Sequence, residues 1–112
     1  MKVSFATDKL ERTANDVALL EKLIRKQNAH CNADDIIQVL NILEAADSGA
    51  DIPPTLRPHP LQAEWKDHFA VDISKTHRLI FRPDHDDDPD FRIDNHKTIK
   101  RIVIVKLCID YH

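Results

Sequence analysis

The run Ile102-Val103-Ile104-Val105-Lys106-Leu107-Cys108-Ile109 constrains the fold more than any other stretch of the chain. It is rich in β-branched residues, broken only by Lys106, and lacks the alternation that would leave one face to water. It therefore predicts a strand covered on both faces. Such a strand needs neighbours in a sheet and a layer packed against it. With 112 residues the chain can enclose one core of that kind and not two. The expectation is one domain, residues 1–112, of the α/β (α+β) class, with an N-terminal helical hairpin packed on a small, mainly antiparallel C-terminal sheet.

The covering layer comes from the first half of the chain. Val3-Ser4-Phe5 reads as a short opening strand. Asp8-Lys9-Leu10-Glu11 then approximates a capping box, and Leu10, Ala14, Val17, Leu20 and Ile24 recur at helical spacing, which predicts one helix over about residues 9–27. Asn32 caps a second helix, with Asp34 and Asp35 at its positive end. Its apolar stripe is Ile36, Val39, Leu40, Leu43 and Ala46, and Ser48-Gly49 supplies a left-handed stop. A four-residue connector makes the two helices an antiparallel hairpin.

After Ile52 the four prolines Pro53, Pro54, Pro58 and Pro60 forbid helix and permit extended or edge-strand structure. Phe69, Val71 and Ile73 alternate with Ala70, Asp72 and Ser74 as a half-buried strand. A turn at 74–77 leads into Arg78-Leu79-Ile80-Phe81-Arg82, so the two strands form a hairpin. Leu79 and Phe81 face one way, and Arg78, Ile80 and Arg82 the other.

The net charge of −3 argues against a polyanionic partner until its distribution is considered. Residues 84–95 carry six Asp against Arg92, a local −5, so the other hundred residues sum to +2. The picture is a basic face with an acidic loop attached. Asp84, His85, Asp86, Asp87, Asp88 and Asp90 have ligand chemistry for a cation. They lack the glycine and closing glutamate of an EF-hand, so the loop reads as solvated, self-repelling charge with no metal. One glycine, Gly49, rules out the glycine-rich phosphate loops, and no small-molecule cofactor is expected. Cys31 and Cys108 have no metal or redox spacing and are expected reduced and buried. No apolar run reaches membrane-spanning length, and Met1-Lys2-Val3-Ser4-Phe5 does not resemble a signal peptide, so a cytoplasmic protein with no membrane partner is expected.

Histidine is abundant, with seven residues. His59, His68, His77, Arg78, Arg82, Tyr111 and His112 form the constellation with chemical potential. Cleaving RNA through its own 2′-hydroxyl needs a base, an acid for the leaving 5′-oxygen and cations for the phosphorane, and imidazole, phenol and guanidinium fill those roles.

Four segments give this constellation a context: Arg57-Pro58-His59-Pro60-Leu61, Phe69-Ala70-Val71-Asp72-Ile73, His77-Arg78-Leu79-Ile80-Phe81 and the closing Asp110-Tyr111-His112. Together they resemble the bacterial type II toxins of the RelE/ParE superfamily, most nearly the HigB or plasmid maintenance killer branch, over residues 57–82 and 102–112. The resemblance implies a small toxin that cleaves messenger RNA on the ribosome and is held by a cognate helix-turn-helix, HigA-like antitoxin. It implies catalytic roles for His59, Arg78, Asp110, Tyr111 and His112, and RNA contacts from Arg57, Lys75, Arg82, Lys97, Lys100 and Arg101. Two positions depart from the pattern: Gln62-Ala63 replaces a Lys-Gly pair, and Ser74 stands where a catalytic arginine is expected. These departures favour a second reading, a catalytically weak binding protein of the same fold that acts through an antitoxin or DNA gyrase.

Overall fold

A computed structural model describes residues 1–27 and 31–110. The elements are β1 (Lys2–Phe5), α1 (Asp8–Ala14), α2 (Val17–Lys26), α3 (Ala33–Ala45), β2 (His59–Pro60), β3 (Phe69–Asp72), β4 (His77–Pro83) and β5 (Arg101–Asp110). They form one five-stranded sheet in the order β1-β5-β4-β3-β2, with β1 parallel to β5 and every other pair antiparallel. The apolar run that opened the sequence reading is β5. It sits between β1 and β4, so both of its edges are paired, but the helices cover one face only: the expected cover on both faces gives way on the other side to a small apolar floor with Lys106 exposed.

The single helix expected over 9–27 is two helices. Thr7, not Asp8, caps α1 by accepting from the Leu10 N–H at 3.1 Å. The helix stops at Asn15 because Asp16 is extended and starts a new one, its Oδ1 accepting from the Ala18 N–H at 2.9 Å. A capping residue in mid-pattern outweighs helical periodicity there. The break leaves Val17, an expected core residue, 49% exposed, while Leu20 and Ile24 remain buried.

The second helix is as expected at its start: α3 has a full capping box between Asn32 and Asp35 and buries Ile36, Val39 and Leu43. It ends at Ala45, and Gly49 is not its left-handed stop, since no glycine has a positive φ. Gly49 opens a 3-10 turn and lies against the 96–99 segment, donating to the Ile99 carbonyl at 2.9 Å. A Cβ there would meet the His96 oxygen at 3.0 Å, so its smallness is what counts. The proline-rich stretch also departs from expectation, because Pro54–Leu56 is a 3-10 turn before the edge strand β2.

Strand alternation divides the sheet into two faces. Phe69, Val71, Leu79, Phe81, Ile102, Ile104, Leu107 and Cys108 meet the three helices in the main core. Ala70 and Ile80 form the opposite face, where Leu61 completes a small apolar floor against which Trp65, Val105 and Ile109 pack. Consecutive Leu107 and Cys108 both join the helix side, which strict alternation forbids. The β4–β5 register slips between Arg78 and Ile80, leaving Leu79 opposite two residues, and this bulge accounts for the pair.

Candidate functional site

The helix-free face gathers the sequence candidates in rows. His59 pairs with Ala70, which pairs with Ile80, which pairs with Lys106. One row along, Asp72 pairs with Arg78 and Arg78 with Ile109. Further along, Arg82 pairs with Val103, and Arg101, two residues before Val103, pairs with Lys2. Directly paired residues share a face, so His59 and the line Arg78, Arg82, Arg101 lie on one surface. His59 and Arg78 are two strands apart, about 10 Å across the ladder.

The segment that places His59 is bent by left-handed residues. Arg57, Ala63 and Asp67 have φ of 52°, 57° and 67° and flank β2 on both sides. A left-handed residue other than glycine is disfavoured, so the tertiary structure holds these three in place. Arg57 turns its carbonyl onto His59 Nδ1 at 2.8 Å. A carbonyl only accepts, so Nδ1 carries the hydrogen and Nε2 is the basic nitrogen of the neutral ring. His68 has the same arrangement with the Lys66 carbonyl at 3.0 Å.

Arg78 is held tightly. Its Nε is 2.8 Å from Asp72 Oδ1, with both side chains mostly buried at 13% and 18% exposure. Neither atom makes an aligned hydrogen bond, so the contact is a charge pair. Nη1 donates to the Ser74 and His77 carbonyls, both at 3.2 Å. Arg57 approaches the other oxygen of Asp72 at 3.8 Å from an exposed position. One carboxylate thus serves two guanidiniums. Sequence reasoning missed Asp72, although the hairpin it read sets Asp72 opposite Arg78. It also missed Trp65, the aromatic packed on the floor, and Lys106, whose pairing with Ile80 is obscured by the bulge.

Other candidates lie apart. Lys75 is exposed in the β3–β4 turn. Lys97 belongs to the 3-10 turn His96–Thr98, and Lys97, Lys100 and Arg101 stand at the opposite end of β5 from Arg78, about 25 Å along the strand. His77 is buried beside Thr76, its Nδ1 2.9 Å from the hydroxyl. Asp110 pairs with His77, so alternation puts it on the face opposite Arg78. Tyr111 and His112 lie outside the described residues.

The acidic loop is not merely solvated charge. His85 is 2% exposed and stacks on Phe91 with centroids 5.0 Å apart. Its Nε2 accepts from the N–H groups of Lys100 and Arg101 at 2.8 and 3.0 Å, and Nδ1 lies 3.2 Å from Asp88 Oδ2. Two donors on Nε2 require the Nδ1–H tautomer, so Nδ1 donates to Asp88. The Asp90 N–H, first, and then His85 hold the Asp88 carboxyl below its ordinary range. The loop is pinned to the start of β5. Among the described residues no three His, Cys, Asp or Glu are grouped to hold a metal ion.

Three helices on one side of a five-stranded mixed sheet in the order β1-β5-β4-β3-β2 make an α+β fold, and solved structures of toxins share it. The structure is similar to YafQ from E. coli strain BL21(DE3), with a TM-score of 0.58 at 14% identity over 97% of this chain and 91% of that one. It is also similar to a chain of the YoeB–YefM complex from Staphylococcus aureus, with a TM-score of 0.53 at 18% identity over 100% and 97%. The YoeB/ParE toxin from Agrobacterium tumefaciens gives 0.52 at 13% identity over the whole of both chains. No protein-family model and no curated protein matches the sequence. No helix among the described residues is long and apolar enough to cross a membrane.

Proposed function

We propose that the chain is the toxin of a type II toxin–antitoxin pair and works in the cytoplasm as a HigB-like, ribosome-dependent endoribonuclease on translated messenger RNA. The observation that carries this reading is the uncovered sheet face, where His59 shares one surface with Arg78, Arg82 and Arg101 around a small apolar floor. An RNA strand is held there through its phosphates by Arg78, Arg82 and Arg101, with Arg57, Lys75, Lys97 and Lys100 as outlying contacts. His59 Nε2 takes the proton of a ribose 2′-hydroxyl. The 2′-oxygen attacks the adjacent phosphorus, and the 5′-oxygen leaves with a proton from His112 or Tyr111, Asp110 orienting His112. No step needs a cofactor or a metal. A HigA-like helix-turn-helix antitoxin is the proposed inhibitor; among the fold relatives, YoeB occurs in complex with YefM.

One observation favours the second reading. Arg78 is already neutralised by Asp72 and shielded from solvent, so a phosphate must displace that carboxylate to gain the guanidinium. A binding protein that occupies a protein target, an antitoxin or DNA gyrase, needs no such exchange. Mapping messenger RNA ends after brief induction separates the readings. Growth arrest with codon-registered cuts supports the nuclease, arrest with intact messages supports the binding protein, and unchanged growth at confirmed expression overturns both.

A further inference from the structure

The helix layer and β5 are joined at one point by a pair of sulfurs. Cys31 lies just before the cap of α3 and Cys108 in the bulge of β5, and their Sγ atoms are 3.0 Å apart across 77 residues of sequence. The bulge is what makes the contact, since without it Cys108 would alternate away from the helices. Both are free thiols, Cys108 enclosed at 1% exposure and Cys31 half-buried. Cys31 lines an open cavity of about 290 Å³ together with Val17, Glu21, Ile24 and Arg25. Cys31 therefore opens on a cavity that also holds Arg25 and its ion-pair partner Glu21, while Cys108 is enclosed.

We propose that Cys31 and Cys108 form a redox-modification site, in which a low-molecular-weight disulfide such as oxidised glutathione converts the dithiol into an intramolecular disulfide. The Cys31 thiolate attacks one sulfur of the small disulfide, forming a mixed disulfide and releasing one glutathione thiolate. Cys108 then attacks Cys31 Sγ, its proton passing to the departing glutathione sulfur, and the Cys31–glutathione bond breaks to release the second glutathione as a thiol. Two protein thiols and one small disulfide become one protein disulfide and two small thiols. The order follows from access: Cys108 is enclosed while Cys31 is half-buried, and burial, and then the hydrogen bond with Cys31, push the Cys108 thiol well above its ordinary range, so Cys31 is the sulfur that meets the reagent first. Closing the bond needs an approach of about 1 Å, to a bond length of about 2.0 Å. The crosslink ties the start of α3 to β5 next to Ile109, the ladder partner of Arg78. This assignment stands on the sulfur geometry alone and is independent of the nuclease reading.

The test exposes the folded full chain to oxidised glutathione at about pH 8, where an ordinary thiol is appreciably ionised, and follows intact mass and alkylatable thiols. The wild type is expected to lose two hydrogens and both reactive thiols, keep no glutathione, stay monomeric on a non-reducing gel, and melt at least about 5 °C higher. Cys108→Ala is expected to stop as the glutathione adduct on Cys31, and Cys31→Ala to remain unmodified while folded. A wild type that accumulates the adduct, links two chains or stays a dithiol while folded overturns the proposal. If Cys108→Ala does not fold, the wild type and Cys31→Ala decide the matter.

Discussion

His85 offers the most direct test of how the acidic loop is held. His85→Phe keeps a ring of similar shape against Phe91 and removes both nitrogens, so the N–H groups of Lys100 and Arg101 face a C–H edge where they had an acceptor at 2.8 and 3.0 Å. A buried donor left without a partner costs about 1–3 kcal/mol. Two are stranded here, at the border of solvent where water relieves part of the loss, so about 3 kcal/mol is expected. At about 2.1 cal/mol/K of unfolding entropy per residue, that lowers the melting temperature by about 13 °C. Urea denaturation gives the free energy, and amide hydrogen exchange gives the location, with Lys100 and Arg101 losing protection selectively. In the wild type, long-range ¹H–¹⁵N correlation on the His85 ring reports the Nδ1–H tautomer. An Nε2–H tautomer, or a His85→Phe variant as stable and protected as the wild type, refutes the reasoning.

Four further outcomes are expected. His59→Ala lowers the RNA cleavage rate by about 10²- to 10⁴-fold, the usual contribution of a general acid or base, with melting within a few degrees of wild type, read by single-turnover kinetics and calorimetry. Asp72→Asn costs about 1–3 kcal/mol in urea denaturation because Arg78 is left charged and mostly buried, whereas Arg57→Ala, at an exposed pair, costs less than about 0.5 kcal/mol. Asp88 keeps its charge more readily in the folded state than at its ordinary 3.8, so its contribution is complete above that pH and is lost as the pH falls through the lowered folded value; Asp88→Asn removes this part of the acid dependence, followed by carboxyl NMR titration and acid denaturation. Gly49→Ala, whose Cβ meets the His96 oxygen at 3.0 Å, destabilises by about 1–3 kcal/mol in thermal melts.

What could be read from the sequence was what neighbouring residues decide. The Asn32 cap, the alternation of Leu79 and Phe81 against Arg78, Ile80 and Arg82, and the strand character of β5 all follow from local pattern, and the structure has each of them, although helices cover β5 on one face and not on both. The break at Asn15-Asp16 was legible but outvoted, because an apolar period continues across it. His85 was hidden by its company: five nearby aspartates set the character of the segment, while the N–H groups that fix the ring belong to Lys100 and Arg101, fifteen and sixteen residues on. The candidate site was legible as a set of residue types and not as an arrangement. His59 and Arg78 share a face only through the β2–β3–β4 register, and Asp72 becomes the partner of two arginines only when the hairpin closes and Arg57 folds back.

The position of β5 also sets a timetable for folding. It is an inner strand of the sheet yet the last of the described elements in sequence, and its partner β1 is the first of them, with Lys2 pairing to Arg101 and Phe5 to Ile104. Until β5 emerges, β1 has no strand beside it, and β4 can pair only with β3. The helices meanwhile lack the surface formed by Ile102, Ile104, Leu107 and Cys108. Pairing across nearly the whole chain makes the sheet depend on its least local contacts, which slows folding. A growing chain therefore exposes its apolar helix faces until β5 has emerged, and the arginine line is incomplete until Arg101 reaches the sheet. Whatever this surface binds, it is assembled in one late step, when β5 slots between two edges that were waiting for it.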